Sequence, residues 1–194
     1  MRQGTAIPIY RVQKSVMIQK ATSKDAQTIA YFLFMAMEEI VYQFIGKKDK
    51  EMALKFLNHF TVKSDNQYSW QNCFIGKIDD EIITVANVYD GADLLRLRQQ
   101  VIDFVKTNFN SKFNPESETQ SGEMYLDCFA VSPNHRGQGF GSKLLTFLVE
   151  EFAGKQKQVL GLLVEKENFN AKKLYQKMGF TYVSDQKLMG KALE

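Results

Sequence analysis

Cysteine and histidine are scarce in this chain, with two of each among 194 residues. Cys73 and Cys128 both fall inside strand-like runs, and nothing near either in sequence would lower a thiol pKa. They read as reduced, buried packing residues rather than as a disulfide or a nucleophile. His59 and His135 stand alone, without the Cys/His cluster that a zinc site needs, so no metal is expected. No uninterrupted apolar run approaches the roughly 20 residues that span a bilayer. The N-terminus lacks the apolar segment and cleavage site of a signal peptide, and the chain reads as cytoplasmic, with no membrane partner. An excess of one charge is missing too. The formal net charge is +3, spread along the chain without a basic arm or a basic stripe interleaved with aromatics, which argues against nucleic acid as a partner.

What is present is ordinary globular material: 44% hydrophobic and 24% charged residues, with fifteen phenylalanines to fill a core. One domain over residues 1–194 is the simplest reading, with 1–14 as a loosely held leader. "SVMIQKA" reads as a strand, and "TSKD" as a capping box with Thr22 as N-cap and Asp25 three residues on. Ala26, Ile29, Ala30, Leu33, Phe34 and Met37 then repeat at helical spacing. A short helix follows in "KEMALKFLNHF". "YSWQNCFIGKI" and "IITVANVYD" form a hairpin. "ADLLRLRQQVIDFVKTNF" is a helix with Leu94, Leu97, Val101 and Val105 on one stripe, and polar "NSKFNPESETQSG" is a loop, the best candidate for local disorder. Then come a strand, "EMYLDCFAV"; a helix ending at Gly154; "QVLGLLV", a strand apolar enough to be buried on both faces; a helix stopped by Gly179; and one or two terminal strands in "TYVS" and "KLMGKAL". The pattern implies an α/β (α+β) fold with a mixed sheet.

The stretch "AVSPNHRGQGFGSKLL" carries the chemistry. Gly137, Gly139 and Gly141 alternate at a strand-to-helix junction, where first-turn amides lack intrahelical partners and the helix dipole adds positive charge. Arg136, Ser142 and Lys143 add charge and a hydroxyl. A phosphorylated ligand, most simply a diphosphate, fits such a place. The spacing is neither a Walker loop nor a dinucleotide fingerprint: it is G-x-G-x-G, and Ser142 separates Gly141 from Lys143.

"RGQGFG", Arg136 to Gly141, resembles the R/Q-x-x-G-x-G/A signature of the GNAT superfamily of acetyl-CoA-dependent N-acetyltransferases. The likeness extends back through "LDCFAVSPNHRG" and forward through "SKLLTFLVEEF" to "VEKENFNAKKLYQKMGF", which is similar to the family's N-x-x-A-x-x-L-Y motif ending in G-F. The resemblance implies a mostly antiparallel central sheet flanked by helices and splayed between the strands at about 123–131 and 158–164. It implies pantetheine pairing with the backbone of Phe129, Ala130 and Val131, with Arg136 at the mouth. The diphosphate would lie on the amides of Gly137, Gln138, Gly139, Phe140, Gly141 and Ser142. Asn168 and Tyr175 match the family's cofactor-holding asparagine and its tyrosine near the sulfur.

Acetyl transfer to an amine needs a neutral nitrogen, whereas a free amine near pKa 10 is protonated at neutral pH. A base must take that proton, a backbone N–H near Phe129–Val131 can stabilise the oxyanion, and an acid can protonate the leaving thiolate. Tyr175 is the candidate acid, although it also lies on the stripe of Ala171, Leu174 and Met178. Alternation puts Glu123, Tyr125 and Asp127 on one strand face, with Met124, Leu126 and Cys128 on the other. Either Glu123 or Asp127 is a candidate base or attractor of a cationic substrate. Glu38 and Glu39 are weaker substrate-site candidates, and His135 reads as a cap of the turn, with contact to a phosphate as the alternative. Residues 91–122 add a helix and a loop between two strands and would wall the acceptor site or form a dimer contact. The expected function is transfer of acetyl from acetyl-CoA to a primary amine, on a small molecule or a protein, by direct attack in a ternary complex of a monomer or homodimer. The alternative is a non-catalytic acyl-CoA-binding sensor or interaction module.

Overall fold

The computed structural model describes residues 15–194; the expected leader at 1–14 lies outside the described residues. Among these residues seven strands and five α-helices follow in the order β1 (Met17–Lys20), α1 (Ala26–Ile45), α2 (Lys50–Thr61), β2 (Cys73–Ile78), β3 (Glu81–Asp90), α3 (Leu94–Asn108), β4 (Glu123–Val131), α4 (Phe140–Val149), β5 (Val159–Leu162), α5 (Phe169–Lys177), β6 (Gln186–Leu188) and β7 (Lys191–Leu193). The main sheet runs β1-β2-β3-β4-β5. Every pairing in it is antiparallel except β4 with β5, which is parallel. The expected mixed, mostly antiparallel sheet flanked by helices is therefore present.

Alternation along the strands sorts side chains onto two faces. Cys73, Ile75, Val85 and Ala130 pack with α1 and α2, while Phe74, Ala86, Val88 and Leu126 pack with α4. The stripe expected for α1 is buried throughout, from Ala26 to Met37. A window of Ser23–Ile45 reaches mean hydropathy 1.3, long and apolar enough by length and composition to cross a membrane, yet half of it is buried inside the protein. Its apolar content is the filling of the core against α2 and the sheet. Asp25 accepts hydrogen bonds from the Thr22 amide and hydroxyl, each at 2.8 Å, as the capping pattern implied. Lys77 closes the arrangement with an ion pair to Asp25 at 2.9 Å, and these partners hold the Asp25 carboxyl below its usual range against the opposing effect of burial.

Several expectations are revised. β2 starts at Cys73, because Trp70–Asn72 forms a 3-10 turn capped by Ser69. β5 is an edge strand with Val159 exposed, so its apolar run is not buried on both faces. Thr181–Ser184 forms no strand, and β6 and β7 make a separate hairpin. The polar loop after α3 is anchored rather than loose: Phe113 is buried and packs edge-on against Phe44 at 4.9 Å. The same loop crosses close over Gly91, where an added Cβ would lie 2.1 Å from the Gln120 carbonyl oxygen. Replacing Gly91 by alanine must push backbone aside, and we expect a loss of about 1–3 kcal/mol of stability by urea unfolding. An unchanged midpoint would show that the crossing of residues 119–120 is not held.

Candidate active site

β4 and β5 pair only from Glu123–Val159 to Leu126–Leu162, while β4 runs on to Val131. Beyond Leu126 the strands part. The chain after β5 pairs instead with the C-terminus, through reciprocal hydrogen bonds between Val164 and Glu194 at 2.9 and 3.0 Å. The gap is a cleft of about 240 Å³, walled by Asp127, Cys128 and Phe129 of β4, Leu162 and Leu163, Met37 and Ile40 of α1, and Asn168, Ala171 and Tyr175 of the α5 region. That volume is small for a ligand pocket. It suits a narrow extended arm and leaves any bulky charged group outside.

The glycine turn lies on the outer side of this region, and its three glycines have three reasons. Gly137 and Gly139 adopt positive φ, 72° and 83°, which side chains disfavour. Gly141 is a contact residue: a Cβ there would stand 3.0 Å from Phe129 Cζ and 3.2 Å from Val131 Cγ2, so its absence lets α4 lie close on β4. Gly139 is the N-cap of α4 and no side chain caps that end. The first intrahelical bond is Lys143 N–H to the Gly139 carbonyl at 3.1 Å, which leaves the amides of Phe140, Gly141 and Ser142 as free helix-start donors. Phe140 is buried against Ile78 and Ile83 and anchors that helix start. Arg136 Nε donates to the Val131 carbonyl at 3.2 Å, which pins its charge beside the end of β4. The His135 ring packs edge-on to Phe140 at 6.0 Å, and its amide closes the turn on Ser132. These residues fit a diphosphate: uncapped amides, a pinned guanidinium and no carboxylate in the turn.

Tyr175 projects from α5 and is half-buried; burial and then the neighbouring Cys128 raise its pKa, so its hydroxyl stays protonated at neutral pH. Asn168 caps α5, its Oδ1 accepting from the Ala171 amide at 3.1 Å. Phe129, Ala130 and Val131 lie on the part of β4 that β5 no longer covers. The structure does not bring Glu123 to the cleft. Its carboxylate accepts from Thr119 Oγ1 at 2.6 Å and sits over Gly161, lining a second opening of about 400 Å³ beside the free edge of β5. Glu38 and Glu39 are surface groups paired with Tyr42 and Lys48. Among the described residues no group of three or more His, Cys, Asp or Glu is arranged to hold a metal.

A family model described as the acetyltransferase (GNAT) family matches residues 42–180. The chain belongs to the GNAT acetyltransferase family. It is 29% identical over 68 residues to the probable spermine N(1)-acetyltransferase of Bacillus subtilis subsp. natto (strain BEST195), covering 34% of this chain and 45% of that protein. It is 34% identical over 70 residues to the ribosomal protein bS18-alanine N-acetyltransferase of Haemophilus ducreyi, covering 36% of this chain and 48% of that one. The chain thus spans about half the length of the curated relatives it matches. An N-acetyltransferase structure from Staphylococcus aureus Mu50 shares the fold, with TM-score 0.79, 22% identity, and coverage of 91% of this chain and 97% of its own. Another acetyltransferase structure is 28% identical with TM-score 0.74, over 91% and 95% of the two chains.

Within this GNAT fold, Asp127 sits on a β-bulge. Asn87 pairs with Cys128 and Val88 with Leu126, so Asp127 is the extra residue. The bulge changes the expected alternation: Asp127 and Cys128 both turn toward the face of α1–α3, while Leu126 and Phe129 face α4. There Asp127 meets a buried polar cluster that sequence reading missed. Gln67 Nε2 lies 3.0 Å from Asp127 Oδ2 and 3.2 Å from Glu118 Oε1, while Gln67 Oε1 accepts from Arg98 Nε at 3.0 Å. Arg98 also forms an ion pair with Glu118, the two side chains only 6% and 4% exposed. A sequence signal for this cluster did exist. Arg98 lies on the stripe of Leu94, Leu97, Val101 and Val105, and an arginine on an apolar stripe requires a buried acid. Burial and then the like charge of Asp127 raise the Glu118 pKa from 4.5 to about 7, against the opposing effect of Arg98. Burial likewise raises Asp127, opposed by its hydrogen bonds and Arg98. A raised carboxyl binds its proton more tightly in the folded state, so this contribution favours folding most at low pH. It is lost as pH rises from Glu118's unfolded value through its folded one. Urea unfolding should therefore show stability declining between about pH 5 and 7, with a flatter profile in Glu118→Gln; identical slopes would contradict the assignment.

Proposed function

We propose that this protein transfers an acetyl group from acetyl-CoA to a primary amine, by direct attack of the amine within a ternary complex. The carrying observation is the coincidence of three features. The cleft opens where β5 leaves β4, uncapped amides begin α4 beside it, and the protonated Tyr175 hydroxyl stands in its wall. Acetyl-CoA supplies an activated acyl thioester. The amides of Phe140, Gly141 and Ser142, with the turn at Gly137–Gly139 and Arg136, would hold its phosphates. The uncovered backbone of Phe129–Val131 would orient its arm. Tyr175 holds a proton for the departing sulfur, and Asp127 at the other wall accepts one from the amine. The substrates in the names of the two curated relatives are spermine and an alanine of ribosomal protein bS18. An acidic group facing the cleft supports a cationic acceptor here too. The rival reading, a non-catalytic acyl-CoA-binding module, has no need of a phenol and a carboxylate on opposite cleft walls.

Calorimetry with acetyl-CoA, dephospho-CoA and NAD is the direct test. Saturable binding of acetyl-CoA without binding of NAD is expected, and a folded protein that ignores acetyl-CoA refutes the reading. In turnover assays with spermidine as probe, Tyr175→Phe should lower kcat about 100-fold while leaving the Kd for acetyl-CoA within a factor of about 3. Equal turnover would return Tyr175 to a packing role. Gly139→Val, by contrast, should abolish cofactor binding, because the substitution strains the left-handed N-cap.

A further inference from the structure

The 91–122 segment places one more acid in the machinery. We infer that Glu118 acts with Asp127 as a single proton-accepting pair for the acceptor's ammonium group, Glu118 being the positioning residue and Asp127 the one that reaches the cleft. The inference rests on the acetyltransferase reading above.

The geometry is that of two carboxylates facing one counter-charge. Glu118 and Asp127 both approach the same nitrogen, Gln67 Nε2. That amide is oriented by Arg98, which donates to its oxygen and turns its two hydrogens toward the acids. Tyr89 also hydrogen-bonds the Asp127 side chain. Arg98 pairs with Glu118 and spends a further donor on the Glu116 carbonyl at 2.9 Å. With both acids ionised, the cluster therefore carries one negative charge more than Arg98 can match. The other groups facing the pair are neutral. Burial raises the Tyr68, Tyr89 and Tyr125 hydroxyls and the Cys128 thiol well above their ordinary values, and holds the Cys73 thiol at about 12. The unmatched charge is what a proton can neutralise.

The step balances simply. An N–H bond of the acceptor's ammonium breaks, its electron pair stays on nitrogen, and an O–H bond forms on Asp127. The cluster then has one carboxylate for one guanidinium. Glu118 does not touch the substrate. It raises the basicity of Asp127 by denying it sole use of Arg98. An isolated aspartate matched to an arginine would be too weak a base for an amine. The line of Asp127, Gln67, Glu118 and Arg98 thus makes the additional helix and loop part of the chemistry.

Two measurements decide it. In wild-type protein, 13C NMR of the carboxyl carbons should show one of Glu118 and Asp127 titrating near neutral pH; if both titrate near pH 4, the pair holds no shared proton and the inference is wrong. This readout needs no substrate, so it stands apart from the fate of the acetyltransferase reading, which the acetyl-CoA calorimetry decides. In the pH profile of kcat/KM for spermidine, the acidic limb should move down by about one pH unit or more in Glu118→Gln, with a lower plateau. Asp127→Asn should lose about 100-fold or more at every pH, with acetyl-CoA affinity kept. A Glu118→Gln limb at the wild-type position, in protein that still binds acetyl-CoA, overturns the inference. If Glu118→Gln does not fold, the wild-type titration alone decides.

Discussion

Parallel pairing between β4 and β5 ends after four residues, at Leu126 and Leu162, and the rest of the fold keeps that ending open. Each strand is committed elsewhere beyond the branch point. β4 is held along its length by β3, as far as Val131 opposite Thr84. The chain leaving β5 is held by β7, through Val164–Glu194 and the bridge of Glu165 with Leu193. Unpaired backbone next to an apolar interior is costly unless another partner replaces it, and these alternative pairings stop the two strands from simply closing. Gly141 serves the same end, letting α4 press on Phe129 and Val131 so that β4 is supported where β5 no longer covers it.

A second constraint is electrostatic. Burying Arg98 against Glu118 and Asp127 removes three ionised groups from water, and such arrangements cost more in desolvation than they return unless every group is well partnered. Here the partnering is incomplete by design of the count: two acids, one guanidinium. The excess is tolerable only because Gln67, Asn87 and Tyr89 surround Asp127 with donors, Asn87 Nδ2 at 3.4 Å and Gln67 Nε2 at 3.0 Å. Those donors come from the loop after α2 and from β3. The Asp127 carboxylate is therefore fixed by the scaffold while its protonation is left to its charged neighbours.

The sequence made the large features readable because they repeat. Helical stripes in α1 and α3, the hairpin of β2 and β3, and the strand–turn–helix around Arg136–Gly141 all follow periodicities that survive without tertiary information. Local exceptions did not. The bulge at Asp127 leaves no mark in "EMYLDCFAV", and a strict two-residue alternation placed Cys128 on the wrong face. The loop "NSKFNPESETQSG" reads as solvated because its single buried aromatic, Phe113, and its buried acid, Glu118, are separated by polar residues without a period. The apolar run of β5 suggested a central strand, yet an edge position is equally compatible with "VLGL" when α4, α5 and the C-terminal segment surround it. For Thr181–Ser184 the residue types favour a strand, yet the segment lies beside β5 in the wall of the second opening and forms no strand there. The glycine turn was legible as a place, whereas only coordinates separate the two glycines needed for left-handed backbone from the one needed for packing.

The distribution of charge gives the fold a polarity that suits two oppositely charged reactants. At the start of α4, uncapped amides and Arg136 make a positive end on the α4 side of the sheet. Through the sheet, on the α1–α3 side, Glu118 and Asp127 leave a negative excess that reaches the cleft at the bulge. A phosphate-bearing molecule and a cationic amine would be drawn to different faces and meet only where β4 is uncovered. A misplaced reactant would meet its own sign: a phosphate at Asp127 or an ammonium at Arg136 is repelled, and like-charge placement in a partly desolvated site is penalised far more heavily than in water. The bulge leaves Asp127 on the α1–α3 face with Tyr125 and brings Cys128 to the same side. One extra residue in β4 therefore sets the register of the open strand beyond Asp127, with Phe129 toward α4 and Ala130 toward α1, while Asp127 keeps its charge on the face away from the helix start.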